Sequence, residues 1–129
     1  MNARGTFDVK LTPQAGEPAS GDTPSRMLID KTFHGDLEAT SKGQMLAAGT
    51  EVKGSAGYVA LERVIGTLHG RSGTFVLQHN GIMNRGTPQL TIIVVPDSGT
   101  GDVKGLGGTM TIDIVDGKHS YTFEYTFAV

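Results

Sequence analysis

The chain has 129 residues with no cysteine and no tryptophan, 37% hydrophobic residues and a formal net charge of −2. That length fits a single domain, residues 1–129, with one core of ordinary size. The missing cysteines exclude a disulfide framework, a thiol nucleophile and a cysteine metal site. Lysine and arginine are scattered, so the concentrated basic footprint of a nucleic-acid binder is absent.

Strands follow one another along the chain. Arg4 to Leu11 alternates, with Phe7, Val9 and Leu11 on one face and Thr6, Asp8 and Lys10 on the other. Pro13 to Pro24 is rich in turn formers and predicts a loop. Ser25 to His34 predicts a second strand with Met27, Ile29 and Phe33 on one face. A turn at Gly35 leads into an irregular third strand, Asp36 to Thr50, where Gly43 and Gly49 predict bending or a bulge. Tyr58 to Gly81 predicts a hairpin turning at His69-Gly70. Gln89 to Val95 is apolar on both faces, the pattern of a strand buried on both sides. Pro96 to Gly108 predicts a turn-rich crossing with a short extended piece at Asp102 to Leu106. Thr109 to Val115 points Met110, Ile112 and Ile114 inward, and Asp116-Gly117 is a hairpin signal. Tyr121 to Phe127 closes the chain with the clearest alternation of all, Tyr121, Phe123, Tyr125 and Phe127 against Thr122, Glu124 and Thr126.

No window reads as a helix; residues 44–52 are the only candidate and lack both a stripe and caps. Glycine, 19 residues with no fixed period, predicts many turns and close backbone approaches. Seven to eight antiparallel strands predict an all-β fold, and closure removes an exposed aromatic edge. The expected architecture is an eight-stranded antiparallel closed β-barrel, lipocalin-like, with the last strand beside the first. The longest apolar run, Leu90 to Val95, is too short to span a bilayer, and the first ten residues have no apolar core of a signal peptide. A cytoplasmic location is expected.

The hairpin carries the candidate site. With a two-residue turn, Leu68 faces Arg71, Glu62 faces Leu77 and Ala60 faces His79. Tyr58, Glu62 and His79 then share a face with Val64, Phe75 and Leu77, while Val59, Leu61, Arg63, Ile65, Gln78 and Asn80 take the other. Both faces are mixed, which predicts cover on both sides. Tyr58, Glu62, Phe75, Leu77 and His79 are the candidate ligand-binding residues. In an apolar lumen, desolvation raises a carboxylate pKa and lowers an imidazole one, and pairing opposes both shifts. No catalytic residue is assigned.

Other patterns carry less. His34-x-Asp36-x-Glu38 has the look of a metal series, but Gly35 breaks the alternation, so no metal site is expected. His69 and His119, at or near turns, are expected to face solvent. Ser98 to Gly108 lacks a P-loop ending and misses the dinucleotide spacing, and Gly70-Arg71-Ser72-Gly73 lacks a nucleophile elbow. No cofactor is expected.

The phrases FHGDLEA (33–39), YVALERVIGTLHGRSGTFVLQHNG (58–81), VVPDSGTGDVKGLGG (94–108) and YTFEYTF (121–127) resemble an uncharacterised bacterial family of small proteins. That family shares the fold of the allene oxide cyclase-like β-barrels. The resemblance implies an eight-stranded barrel, often oligomeric, whose lumen holds an apolar molecule; it implies no reaction. The expected function is therefore binding of a small apolar or amphipathic molecule in the lumen. Two alternatives stand beside it, an isomerase or cyclase using Glu62 and His79, and a structural homo-oligomer whose barrel is filled by its own aromatics. A pocket of roughly 300 Å³ or more separates the first reading from the last.

Overall fold

The period-two alternation is realised along almost the whole chain. A computed structural model describes residues 1–13 and 25–128. Its strands are β1 (Asn2–Pro13), β2 (Ser25–Gly35), β3 (Leu37–Gly49), β4 (Ala56–Leu68), β5 (Arg71–Asn84), β6 (Thr87–Val94), β7 (Leu106–Val115) and β8 (Lys118–Phe127). Each pairs antiparallel with the next, and β8 returns to β1 through Asn2–Phe7, closing an eight-stranded barrel. The fold is all-β, as the alternation predicts. The loop expected from Pro13 to Pro24 lies outside the described residues apart from Pro13, which ends β1. Among the described residues no helix is long and apolar enough to cross a membrane.

Turn chemistry fixes the register. His69-Gly70, Arg85-Gly86 and Asp116-Gly117 each have positive φ at both residues, the type I′ geometry whose twist matches its strands. The central hairpin pairs Leu68 with Arg71, Glu62 with Leu77 and Ala60 with His79, as its sequence predicts. The middle turn, Arg85-Gly86, joins β5 to β6 and was not marked by the residue pattern.

One half of the lumen is solid. Phe33, Leu37, Leu68, Phe75, Leu77 and Phe123 meet there, with the Phe75 and Phe123 rings stacked at 5.9 Å and 13°. Residues 95–105 close that end. They hold a 3₁₀ turn at Gly101–Val103 in place of the expected extended piece, because the Val103 and Lys104 N–H groups donate back to Thr100 and Gly101 carbonyls. The turn drops Val103 into the barrel end, where it is buried. The Thr100 N–H donates to the Thr74 carbonyl at 2.8 Å. Gly73 permits this approach, since a Cβ there would collide with the Thr100 carbonyl and the Val103 side chain. Gly73→Ala is expected to cost about 1–3 kcal/mol by overpacking, read as a lower urea midpoint with unchanged m-value.

The outer surface differs from expectation. Leu61 is 53% exposed and Ile65 56%, and Val59 and Ile93 are comparably open. The central hairpin and β6 are therefore covered on their inner face only within the chain, not on both. An inner face packed on the lumen and an outer face free of other elements is what closure of a single sheet dictates.

Candidate functional site

Above the packed half the lumen opens into a cavity of about 550 Å³. It lies at the end reached by the β3–β4, β5–β6 and β7–β8 turns. Its wall is apolar, with Val9, Ile29, Met45, Ala60, Leu90 and Ile112 among the lining side chains. Alternation explains both halves, since the same inward register that packs Phe33 and Phe75 continues upward as smaller or more widely spaced residues.

The inner end of this cavity is polar. Glu62 on β4 is buried among three donors. Lys31 Nζ on β2 donates to Oε2 at 2.9 Å, His79 Nε2 on β5 lies 3.0 Å from the same oxygen, and Ser41 Oγ on β3 donates to Oε1 at 3.3 Å. Lys31 Nζ also sits 4.9 Å from the Phe7 ring centroid and 5.4 Å from that of Phe33. Tyr58 OH lies 3.5 Å from His79 Nδ1. With Nε2–H donating to the carboxylate, Nδ1 is the acceptor for the tyrosine; this tautomer is assigned from its partners. No buried side-chain nitrogen or oxygen among the described residues lacks a partner. Gly81 completes the wall, because a Cβ there would strike the Tyr58 ring that lies across it.

Burial is the largest single influence on Glu62 and pushes its pKa up, but it does not win. The His79 hydrogen bond, together with the Lys31 charge and hydrogen bond, outweighs it and holds the carboxyl below its ordinary 4.5. Pairing with His79, expected to oppose the effect of burial, does so, and Lys31, which was not anticipated, adds to it. Burial, followed by the Glu62 charge, pushes the Tyr58 hydroxyl up, which keeps it a donor. A lowered carboxylate contributes stability that is fully present above pH 4.5 and lost as pH falls through the lowered value. Urea unfolding of wild type and Glu62→Gln is therefore expected to show the widest gap near pH 7, narrowing once the pH drops well below 4.5.

The structure brings three of the five candidate residues together, Tyr58, Glu62 and His79, and sets Phe75 and Leu77 in the packed half, where they are buried but off the cavity wall. Residue reasoning missed Lys31 and Ser41. Both occupy inward positions, paired with each other across β2 and β3, so parity alone would have found them. His119 was expected to face solvent; it is half-buried, lines the cavity and lies 5.1 Å from the Phe7 ring, because it shares the inward register of Tyr121. His69 is exposed as expected, with Nδ1 hydrogen-bonded to the Tyr125 hydroxyl.

The His34-Asp36-Glu38 series serves the β2–β3 turn. Asp36 Oδ2 accepts from the Arg4 N–H at 2.9 Å, Glu38 Oε1 accepts from the Gly35 N–H at 2.8 Å, and His34 Nε2 lies 3.3 Å from Asp8. Asp36 and Glu38 turn to separate backbone N–H groups and His34 to the Asp8 carboxylate, so the three do not converge on a point. Gly43 stands opposite Glu62 in an unbroken register, so it makes no bulge, and its missing Cβ leaves room for the β4 backbone.

A crystal structure of a protein with unknown function from Shewanella oneidensis MR-1 is 52% identical to this chain, with a TM-score of 0.94 over 100% of this chain and 98% of that one. None of the curated proteins matches. The matches carry the barrel and a family, but neither names an allene oxide cyclase. The Shewanella protein is described as a DUF3224 protein, and the family model printed as "Protein of unknown function (DUF3224)" matches residues 3–125; the chain belongs to the DUF3224 family.

Proposed function

We propose that the protein binds a small apolar or amphipathic molecule in the open half of its lumen. The observation that carries this is the cavity of about 550 Å³, apolar over most of its wall, with a polar cluster at its inner end and His119 on β8. That is the plan of a ligand site, in which apolar area supplies affinity and a few fixed polar groups orient the guest. The volume exceeds the roughly 300 Å³ at which such pockets begin. Phe33, Phe75 and Phe123 fill the other half, and Phe7 and Tyr58 line this one without closing it, which favours binding over a barrel sealed throughout.

A second reading has its own observation. Tyr58, His79 and Glu62 form a hydrogen-bonded chain ending at the cavity, the arrangement an isomerase or cyclase would use for proton transfer. In that reading His79 and Tyr58 meet the substrate, and Glu62, whose acceptors are already engaged, positions His79. The exposed Val59, Leu61, Ile65 and Ile93 favour a homo-oligomer, in which a second copy covers the outer face.

Native mass spectrometry of gently purified protein, followed by solvent extraction, tests the binding reading. A reproducible small molecule, or stoichiometric uptake of an apolar fluorescent probe that His79→Gln or Tyr58→Phe weakens, is the expected result. Protein that is empty and takes up no such probe would sink it.

A further inference from the structure

The charge and hydrogen-bond inventory at the inner end of the cavity narrows the guest further, on the premise that the lumen is a binding site. Every strong acceptor there is engaged. Glu62 Oε2 takes bonds from Lys31 and His79, and Oε1 takes one from Ser41. Besides His119 on the β8 wall, two groups at the inner end keep donor or acceptor capacity toward the cavity. Lys31 has three N–H donors and spends one on Glu62, with the Phe7 and Phe33 rings beside the ammonium. Tyr58 OH, while donating to His79 Nδ1 or turning away from it, is the second such group at the inner end.

The cluster is also electrically balanced. Lys31 and Glu62 cancel, and His79 in its assigned tautomer is uncharged. A carboxylate or phosphate head would bring an unpaired negative charge into an apolar enclosure, and an ammonium head would bring a positive one. Both are penalised strongly unless a compensating proton moves. A neutral oxygen needs only the spare Lys31 donor and the Tyr58 hydroxyl.

We propose that the lumen selects apolar molecules with a neutral oxygen head, an alcohol or a ketone, and that Lys31 is the specificity-determining residue which holds that oxygen, with Tyr58 beside it. An acid of the same chain length enters only together with a proton. The titratable groups facing or sharing the cavity are Glu62 and Tyr58 from β4, Lys31 from β2, His79 from β5 and His119 from β8. The facing residues of β3 and β6, Met45, Ala47, Leu90 and Ile92, carry no charge.

The test is a matched series of decanol, the methyl ketone of equal length, decanoate and decylamine, measured by isothermal titration on the full-length protein at mildly alkaline pH. The ketone and alcohol are expected to bind at least about tenfold more tightly than either ion. Decanoate binding is expected to strengthen as pH falls, with close to one proton taken up, read by repeating the titration in buffers of different ionisation enthalpy. Lys31→Met is expected to erase the preference for ketone over plain decane. Should that variant fail to fold, the charge-balanced pair Lys31→Met with Glu62→Gln gives the same readout. Decanoate binding as tightly as decanol at alkaline pH without proton uptake would overturn the proposal, as would an unchanged ketone preference in the lysine variants. An apolar fluorescent probe keeps the two levels apart. Probe uptake with the wrong head-group order rejects the neutral-oxygen proposal alone, whereas no uptake of probe or series rejects the lumenal site with it.

Discussion

Replacing Glu62 by Leu is expected to lower the unfolding free energy by about 3–5 kcal/mol, the usual cost of stranding one member of a buried ion pair. The reason is the position of Lys31, whose ammonium is nearly closed to solvent and has Glu62 at 2.9 Å as its ion-pair partner among the described residues. His79 loses its Nε2 acceptor in the same step. The second half of the expectation is a rescue. Adding Lys31→Met to Glu62→Leu removes the stranded charge and is expected to return most of the loss, because an apolar pair of similar volume often matches a buried salt bridge. Thermal and urea unfolding of the two single variants and the double variant form the cycle that checks this. Independent, additive losses would contradict the geometry. A favourable coupling of several kcal/mol would support it and would show that the polar group is kept for something other than stability.

The other large effect lies in the packed half. Phe123 is 0% exposed, stacked on Phe75 and 5.3 Å from the Tyr125 ring. Phe123→Ala is expected to cost about 3–5 kcal/mol, the transfer energy of the ring together with the void left behind. Neighbouring strands are locked by ladder hydrogen bonds on both sides in a closed barrel, so collapse around the void is restricted. The void is expected to fuse with the open half of the lumen, so the surviving folded fraction should accept longer apolar probes than wild type. Phe123→Leu, which keeps most of the volume, should lose far less stability and leave the length limit unchanged. Equilibrium unfolding and a probe-length series measure the two halves of this prediction.

The fold was legible because the barrel reports itself in strict parity. Glu62 and His79 could be set on one face from the turn at His69-Gly70 alone, and the structure keeps that register through the whole hairpin. The aromatic alternation of β8 likewise predicted its inward face, and Tyr121, Phe123 and Tyr125 are buried there. What escaped was the residue type that argues against its own position. Lys31 follows Met27 and Ile29 with the right parity, yet lysine is so rarely buried that the inward row was read without it. Of the partners that lower the Glu62 pKa against its burial, His79 was foreseen from the hairpin and the Lys31 ammonium was not. His119 was assigned by its nearness to a turn, although two-residue turns leave the adjoining positions fully in register.

The remaining differences come from information that a pattern of apolar residues does not hold. Leu90 to Val95 looked buried on both sides, but hydropathy cannot distinguish an outer face covered by a second layer from one left open, and Ile93 is 43% exposed. The segment from Pro96 to Gly108 carried turn formers without period. Its 3₁₀ turn and its fit into the barrel end depend on Gly73, a residue distant in sequence that admits the Thr100 carbonyl. The division of the lumen into a plugged and an open half is likewise a sum over eight strands, visible only once the register of each is fixed.

The central claim is that the open half of the lumen is the binding site, and filling it is the most direct test. Ala60 is buried on the cavity wall opposite His79, away from the plugged half. The measurement is equilibrium uptake of an apolar fluorescent probe by wild type and by Ala60→Leu, with unfolding curves recorded alongside. Stoichiometric uptake by wild type and a loss of at least about tenfold in the variant are expected, while the fold persists because the new side chain enters empty space rather than a packed core. Equal uptake by a folded Ala60→Leu would mean that the probe binds elsewhere, and the lumenal site would have to be abandoned.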